Sequence, residues 1–456
     1  AGDMEDDDAV LARLAALDTE SLVAVCRRVG EAVGFEAFAA ALLSLSPAAT
    51  TPETKTKKRK KKRREFDMSR WAQRNVALWL SYDGEAYSGF AAQGDAVDTV
   101  ETRLFEALEK CCLVASRTDC NYSRCGRTDR GVSALGQVVG LRLRSSGEPE
   151  LNYCDMLNRV LPADVRALAW RDVPDGFSAR FSAASRTYRY FFRSEDRNVA
   201  AMRVAAAKLL GTHDFRNFCK MDVERVKNYR RTVMKADVVS EENGDVAFLE
   251  ITGMAFLWHM VRCVMAVLLL VGDGFEEPEI VDALLDARRR PSRPQYTLAS
   301  EVPLVLRDCA FDTIAPVSTP DVLWKLQAHL QRRLDRAAVL CARRRDALDH
   351  LGGLSVRRSD LQRFLSDDAE CDERDDEAPA ELVPWAEAVV AVRARARARV
   401  REQYRPLLAR DGGKTYEERV ESLAGRKRER LDANERKRRA SEPFDLHFHT
   451  TMRSFG

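Results

Sequence analysis

The sequence predicts an α+β fold, and three observations carry that prediction. Alternating apolar runs of strand character recur through the middle of the chain, amphipathic helical segments stand between them, and no repeat of fixed period appears that would indicate a solenoid. Taken in order, Val10, Leu11, Leu14, Leu17, Leu22, Val23 and Val25 recur at helical spacing, giving a helical appendage over residues 1–45. Residues 46–70 pass through Pro, Thr and Lys and read as a basic flexible linker. Regular structure resumes at Asn75 with "NVALWLSYDG", an alternating strand ending in a turn at Asp83-Gly84. The helix in "TVETRLFEALEKCC" follows, with Asp98 and Thr99 as N-cap candidates and Val100, Leu104, Phe105 and Leu108 on one face. A loop carrying Asp129 then leads into a strand over Val138 to Leu143. A second unit runs through "RTYRYFFRS" (strand), "AMRVAAAKLLGTHDF" (helix), two strands around Asn243-Gly244, and a helix from Phe256 to Gly272. These units make a core domain over residues 71–315. Residues 316–456 form a charge-rich, largely helical extension, expected to be partly disordered, in which "VRARARARV" fits helix or strand equally well.

A chain of 456 residues is long enough for more than one domain with a substantial core. The net charge of +3 says little, but its distribution is uneven. Lys55 to Arg64 is basic at every position but one, whereas Asp367 to Glu377 is strongly acidic. The cysteines are scattered, with no C-x-x-C pair and no Cys/His cluster at zinc-finger spacing, so neither a disulfide framework nor a structural zinc is expected. The acidic start lacks the basic n-region of a cleavable signal, and the most apolar stretch, Cys263 to Val271, is too short to span a bilayer. The expectation is a soluble protein of a reducing, intracellular compartment that needs no membrane.

The stretch "SRCGRTDRGVSALGQVVGLRL" places Asp129 between Arg127 and Arg130 in a turn bounded by Gly126 and Gly131. A carboxylate beside guanidinium groups is favoured in its ionised form, and an ionised Asp on a tight loop can act as a nucleophile. The same local pattern also fits an Asx-type turn with a surface ion pair.

Five segments in one order widen the view: "YDGEAYSGFAAQ", "CGRTDRGVSALGQVV", "FSARFSAASRTYRYFF", "GTHDFRNFCKMD" and "AFLWHMVRCVMAVLLLVG". Together they resemble the TruA family of tRNA pseudouridine synthases over roughly Trp71 to Thr313. Within that family, "NFCKMD" and "RRPSRPQYTLASEVPLVLRDCAF" resemble the eukaryotic branch that modifies tRNA positions 38 and 39. Ser133 and Trp258 depart from the bacterial pattern without touching the Asp. The resemblance implies two ferredoxin-like halves with a central antiparallel sheet, an interposed catalytic cleft, and helical N- and C-terminal extensions.

It further implies that Asp129 is the catalytic carboxylate, adding to the base at C6 or acting at C1′ of the sugar, two routes the sequence leaves open. By the same resemblance Arg262 pairs with Asp129, and Tyr188 stacks on the target base and takes part in proton transfer at C5. Arg127 is expected to fill the space of a flipped-out uridine. Arg180, Arg130 and Thr128 are expected to contact the RNA, with a purely structural role equally open for Arg180. His259 reads as a core or boundary residue, and His447 and His449 alone do not make a metal site. Neither metal nor cofactor is expected, since isomerising uridine changes no oxidation state and moves no phosphate. The expected partners are the tRNA anticodon arm and a second copy of the chain in a homodimer. A nuclear import receptor is a further candidate through Lys55 to Arg64, with residence in nucleus and cytoplasm. The rival readings are a family member acting on other tRNA or mRNA uridines, and a non-catalytic RNA-binding protein.

Overall fold

Val76 to Leu80 of strand β1 (Ala72–Tyr82) are buried without a break. The strand is therefore covered on both faces, where its sequence suggested the half-buried pattern of a one-sided sheet. The computed structural model describes residues 66–93, 97–241, 244–365 and 381–441. The expected N-terminal helices, the Lys55 to Arg64 run, the acidic run, Asn243, His447 and His449 lie outside the described residues.

After β1 come α1 (Val100–Lys110), β2 (Ser123–Arg124), β3 (Ser133–Ser145), α2 (Tyr153–Asn158) and β4 (Val165–Asp172). Thr99 caps α1 by accepting from the Thr102 N–H, and Val100, Leu104, Phe105 and Leu108 are buried as their spacing predicts. A second series follows: β5 (Ser185–Arg193), α3 (Val199–Ala207), β6 (Gly211–Asp214), β7 (Arg230–Ser240), β8 (Val246–Gly253), α4 (Met260–Gly272) and α5 (Ile280–Leu285), with β9 (Leu304–Ala310) last. The segment "GTHD", expected to continue a helix, is strand β6, because Gly211 at φ +97° turns the chain out of α3.

Among the described residues one nine-stranded sheet has the order β4-β1-β3-β9-β5-β8-β7-β6, with β2 on β3. Each series pairs antiparallel within itself. The join between them adds one parallel contact to the expected antiparallel sheet. β9 runs antiparallel to β5, and that direction makes it parallel to β3, which it meets only through Ser133–Val305 and Ala134–Leu306. One apolar cluster lies under the first series and another under the second, and β9 supplies Leu306 to the former and Leu304 to the latter.

The C-terminal elements are α6 (Pro320–Gly352), β10 (Ser355–Arg357), α7 (Arg358–Leu365), β11 (Leu382–Pro384), α8 (Trp385–Gln403) and α9 (Tyr416–Ser441). The Ala/Arg stretch is thus helix, within α8. Val322 and Leu326 of α6 are buried in the first cluster and Leu407 in the second, so these segments pack on the sheet-bearing core. The Glu276 carboxylate accepts from the Tyr404 hydroxyl at 2.7 Å and the Leu407 N–H at 2.6 Å.

Leu306 is fully buried where the two series meet. Leu306→Ala is expected to cost about 2–5 kcal/mol through lost transfer energy and the cavity left behind. Denaturant unfolding, read as a fall in midpoint, checks this, and a change within experimental error would mean that the join is not close-packed.

Candidate active site

The loop Gly126 to Val132 is shaped by backbone contacts with the turn that follows β1. Phe90 N–H donates to the Thr128 carbonyl at 3.1 Å, and Gly131 N–H donates to the Tyr87 carbonyl at 3.2 Å. Gly84 N–H donates to the Ser133 hydroxyl at 3.0 Å. A Cβ on Gly84 would sit 2.0 Å from the Val132 carbonyl oxygen, so only glycine allows this approach. At the other end Gln137, fully buried, brackets Gly126 by accepting from its N–H at 3.1 Å and donating to its carbonyl at 3.0 Å. The loop is held along its length, and its rigidity fixes where the Asp129 carboxylate points.

That carboxylate is partly exposed, and Oδ2 lies 3.5 Å from Nε2 of His259. His259 precedes α4 with φ +60°, a left-handed conformation uncommon for a non-glycine residue and frequent at functional sites. Its Nδ1 is buried without a hydrogen-bond partner. Burial lowers the imidazole below its ordinary value of 6.5, and nearby Arg262, Lys220 and Arg293 push the same way against the raising effect of Asp129. The ring is therefore neutral near pH 7, and its contact with Asp129 is a long polar one rather than an ion pair.

Arg262 takes different partners from those expected. Its Nε donates to the Ala299 carbonyl at 2.7 Å and its Nη2 meets the Glu301 carboxylate at 2.9 Å. The segment entering β9 runs beneath Gly131, where a Cβ would come within 2.8 Å of Glu301 Cγ, so Glu301 lies between Arg262 and the loop. The arginine thus reaches Asp129 through Glu301 and the loop backbone.

Tyr188 is near enough to Asp129 for that carboxylate to act on its phenol. It is on β5 opposite Leu306, beside a β-bulge, and its ring packs edge to face on Phe256 with centroids 5.2 Å apart. Burial first, and then surrounding groups that include Asp129, hold its phenol well above the ordinary range, so it stays protonated.

Thr128 is a correction. It is buried, and its hydroxyl shares a 2.8 Å hydrogen bond with the Tyr82 hydroxyl, so it supports the loop from behind and faces no solvent that an RNA could enter. Arg127, Arg130 and Arg180 are exposed. Sequence reasoning set His259 aside as a core or boundary residue and passed over Glu301 and Glu101. Glu101 is fully buried in α1, accepts from the Ala92 N–H at 2.8 Å, and pairs with Arg117 and, at 2.7 Å, with Arg124. Burial alone would raise its carboxyl, but these donors outweigh that and hold it below the usual carboxylate range. It ties the turn after β1 to the strand that leads into the Asp129 loop. Among the described residues no cluster of His, Cys, Asp and Glu suited to a metal is found, and no helix is long and apolar enough to cross a membrane.

Residues 205–312 match the family model described as tRNA pseudouridine synthase. The chain is 46% identical over 299 residues to the tRNA pseudouridine(38/39) synthase of Bos taurus, covering 59% of this chain and 62% of that protein. It is 41% identical over 266 residues to the protein of the same name in Saccharomyces cerevisiae, covering 54% and 60%. It is 36% identical over 284 residues to tRNA pseudouridine synthase A of Methanothrix thermoacetophila, covering 62% and 97%. The chain thus spans less than two thirds of the length of the bovine and yeast relatives.

A neutral, buried His259 has a stability signature. Its folded value lies below the ordinary 6.5, so its stabilising contribution is complete above 6.5 and is lost as pH falls through the folded value, where the unfolded chain already binds the proton. NMR titration of its ring protons is expected to give a midpoint below 6.5. Asp129→Asn, by removing the charge that raises it, is expected to lower the midpoint further. A midpoint above 6.5, or an upward shift in the variant, would contradict this reading.

Proposed function

The chain belongs to the tRNA pseudouridine synthase family of the TruA type, and from that membership we propose that it isomerises uridine to pseudouridine in the tRNA anticodon arm. The names of its bovine and yeast relatives support positions 38 and 39 as the targets. The observation that carries the proposal is the partly exposed Asp129 carboxylate, presented on a loop clamped at both ends beside Tyr188 and His259. In the reaction the N1–C1′ bond breaks, the uracil turns, and a C5–C1′ bond forms, with the C5 proton lost and a proton taken up at N1.

Asp129 is the carboxylate that adds at C6 or acts at C1′. A phenol held above its ordinary range is a poor proton acceptor, so Tyr188 serves mainly as the surface on which the target uracil packs. His259, neutral and next to Asp129, leaves the carboxylate its charge while bounding the space in which the base turns. Arg127 occupies the gap left by the flipped nucleotide, and Arg130 and Arg180 meet backbone phosphates. Arg262 and Glu301 act as positioning residues under the loop. A homodimer that binds one tRNA across both copies, and passage between cytoplasm and nucleus through the basic run Lys55 to Arg64, complete the proposal.

Tritium release from tRNA carrying 5-tritiated uridine, followed by mapping of the product, tests the reaction. Release by the parent protein at positions 38 and 39, with none from Asp129→Asn despite unchanged tRNA binding, is the expected result. Substantial turnover by that variant would remove Asp129 from its role. Glu301→Ala and Arg262→Ala are each expected to lower kcat by up to about a hundredfold with KM little changed, because a small displacement of the loop misplaces the carboxylate. The double variant is expected to be no worse than the more damaged single, and additive losses would mean that the two residues act separately. Deleting residues 55–64 is expected to flatten the salt dependence of tRNA affinity if that run also meets phosphates.

A further inference from the structure

Phe181 is 81% exposed, an unusual position for a phenyl ring beside a catalytic cleft. It is not exposed because its segment hangs free. Ala179 is fully buried, and its N–H donates to the Ser123 hydroxyl at 3.1 Å, while Phe181 and Ser182 N–H both donate to the Ser178 carbonyl at 3.1 and 2.8 Å. Arg186 then braces the tip from below. Its guanidinium donates to the carbonyls of Arg180, of Met254 at 2.7 Å, and of Cys125 at 3.2 Å. Those three carbonyls belong to the Phe181 turn, to the segment leading to His259, and to the segment leading to Asp129. One buried-side guanidinium thus sets the ring's position relative to both site residues. The Arg180 guanidinium lies 5.3 Å from the ring centroid, which puts a cation at the ring.

We propose that Phe181, braced by Arg186, is a stacking platform for the base of an unpaired nucleotide flanking the target uridine, with Arg180 meeting that nucleotide's phosphate. This rests on the uridine-isomerase reading of the same cleft, and it adds a subsite outside the reacting residues. A ring carried on a braced backbone has less freedom to lose on stacking than one on a loose loop, and any base offers it a π-face. An exposed ring with the Arg180 guanidinium beside it suits a base with its phosphate better than an apolar protein surface, against which that cation would be desolvated.

The test is a double-substitution cycle in the full chain carrying Asp129→Asn, so that binding is measured without turnover. The probe is a synthetic anticodon stem-loop RNA in which each unpaired loop nucleotide is made abasic in turn. At one position the abasic change is expected to weaken binding roughly 5- to 100-fold when Phe181 is present and to add nothing after Phe181→Ala, while Phe181→Trp binds at least as well as Phe181. Additive effects at every position, parental affinity after Phe181→Ala, or a loss in Phe181→Trp equal to that in Phe181→Ala would each overturn the proposal. Because the ring is exposed, misfolding does not confuse the result. Product formation by the protein with Asp129 intact is followed in parallel. Pseudouridine formed alongside an additive cycle refutes the platform alone, whereas a coupled cycle without product on any tRNA refutes the isomerase and keeps the platform.

Discussion

The approach of two glycine-bearing turns, backbone against backbone, is the constraint on which the site depends. The turn after β1 reaches the Asp129 loop so closely at Gly84 that no side chain fits, and across the contact Phe90 N–H donates to the Thr128 carbonyl while Gly131 N–H donates to the Tyr87 carbonyl. Hydrogen bonds between main-chain groups hold a loop more tightly than side chains do, because few rotatable bonds intervene. The demand propagates outward. β1 must be buried on both faces to hold its end of the contact, and α1 must bring a buried Glu101 to anchor the segment after that turn through the Ala92 N–H. Breaking one side of such a buried, paired charge typically costs about 3–5 kcal/mol, so the anchor is costly to lose.

A division of charge follows from the same geometry. The groups immediately around Asp129 are kept neutral by burial: His259 below its ordinary value and Tyr188 above its own. The cations that could have paired directly with the carboxylate are placed one step away. Arg262 is occupied by Glu301 and the Ala299 carbonyl, and Arg186 by the carbonyls of Arg180, Ala183, Met254 and Cys125. An arginine saturated with backbone acceptors behaves as a strut, whereas Arg127, Arg130 and Arg180 face solvent and can respond to phosphates. The chain therefore uses the same residue type for two purposes, separated by burial.

The legible part of this arrangement lay in local pattern. The face of α1, the strand β5, the hairpin of β7 and β8, and the glycine-bounded loop around Asp129 each follow from spacing within a short window. Whatever depends on residues distant in sequence was harder to read. The parallel contact of β9 with β3 joins segments some 170 positions apart, and nothing in "PLVLRDCAF" states which neighbour it takes. Thr128 faces inward because Tyr82 waits behind it, a partner from another element. Arg262 meets Glu301 for the same reason. His259 lay in view beside Arg262, yet its left-handed backbone, which brings the ring to the carboxylate, has no signature in residue type. The doubtful "VRARARARV" became helical because Ala388 of α8 is buried while most of its arginines stay in solvent, a choice made by packing rather than period.

The join of the two series brings the Asp129 loop and Tyr188 onto one rigid frame. A sheet that continued with full-length pairing from β3 to β9 would close over its own end, but the parallel contact lasts only from Ser133 to Ala134. Beyond it Gly136 passes so close to the Arg307 carbonyl that a Cβ would lie 2.9 Å away, which keeps the strands adjacent where they no longer pair. β9 then bulges against β5 between Thr187 and Tyr188, which shifts the register at the tyrosine. Leu304 and Leu306 keep the two apolar clusters tied together beneath this join.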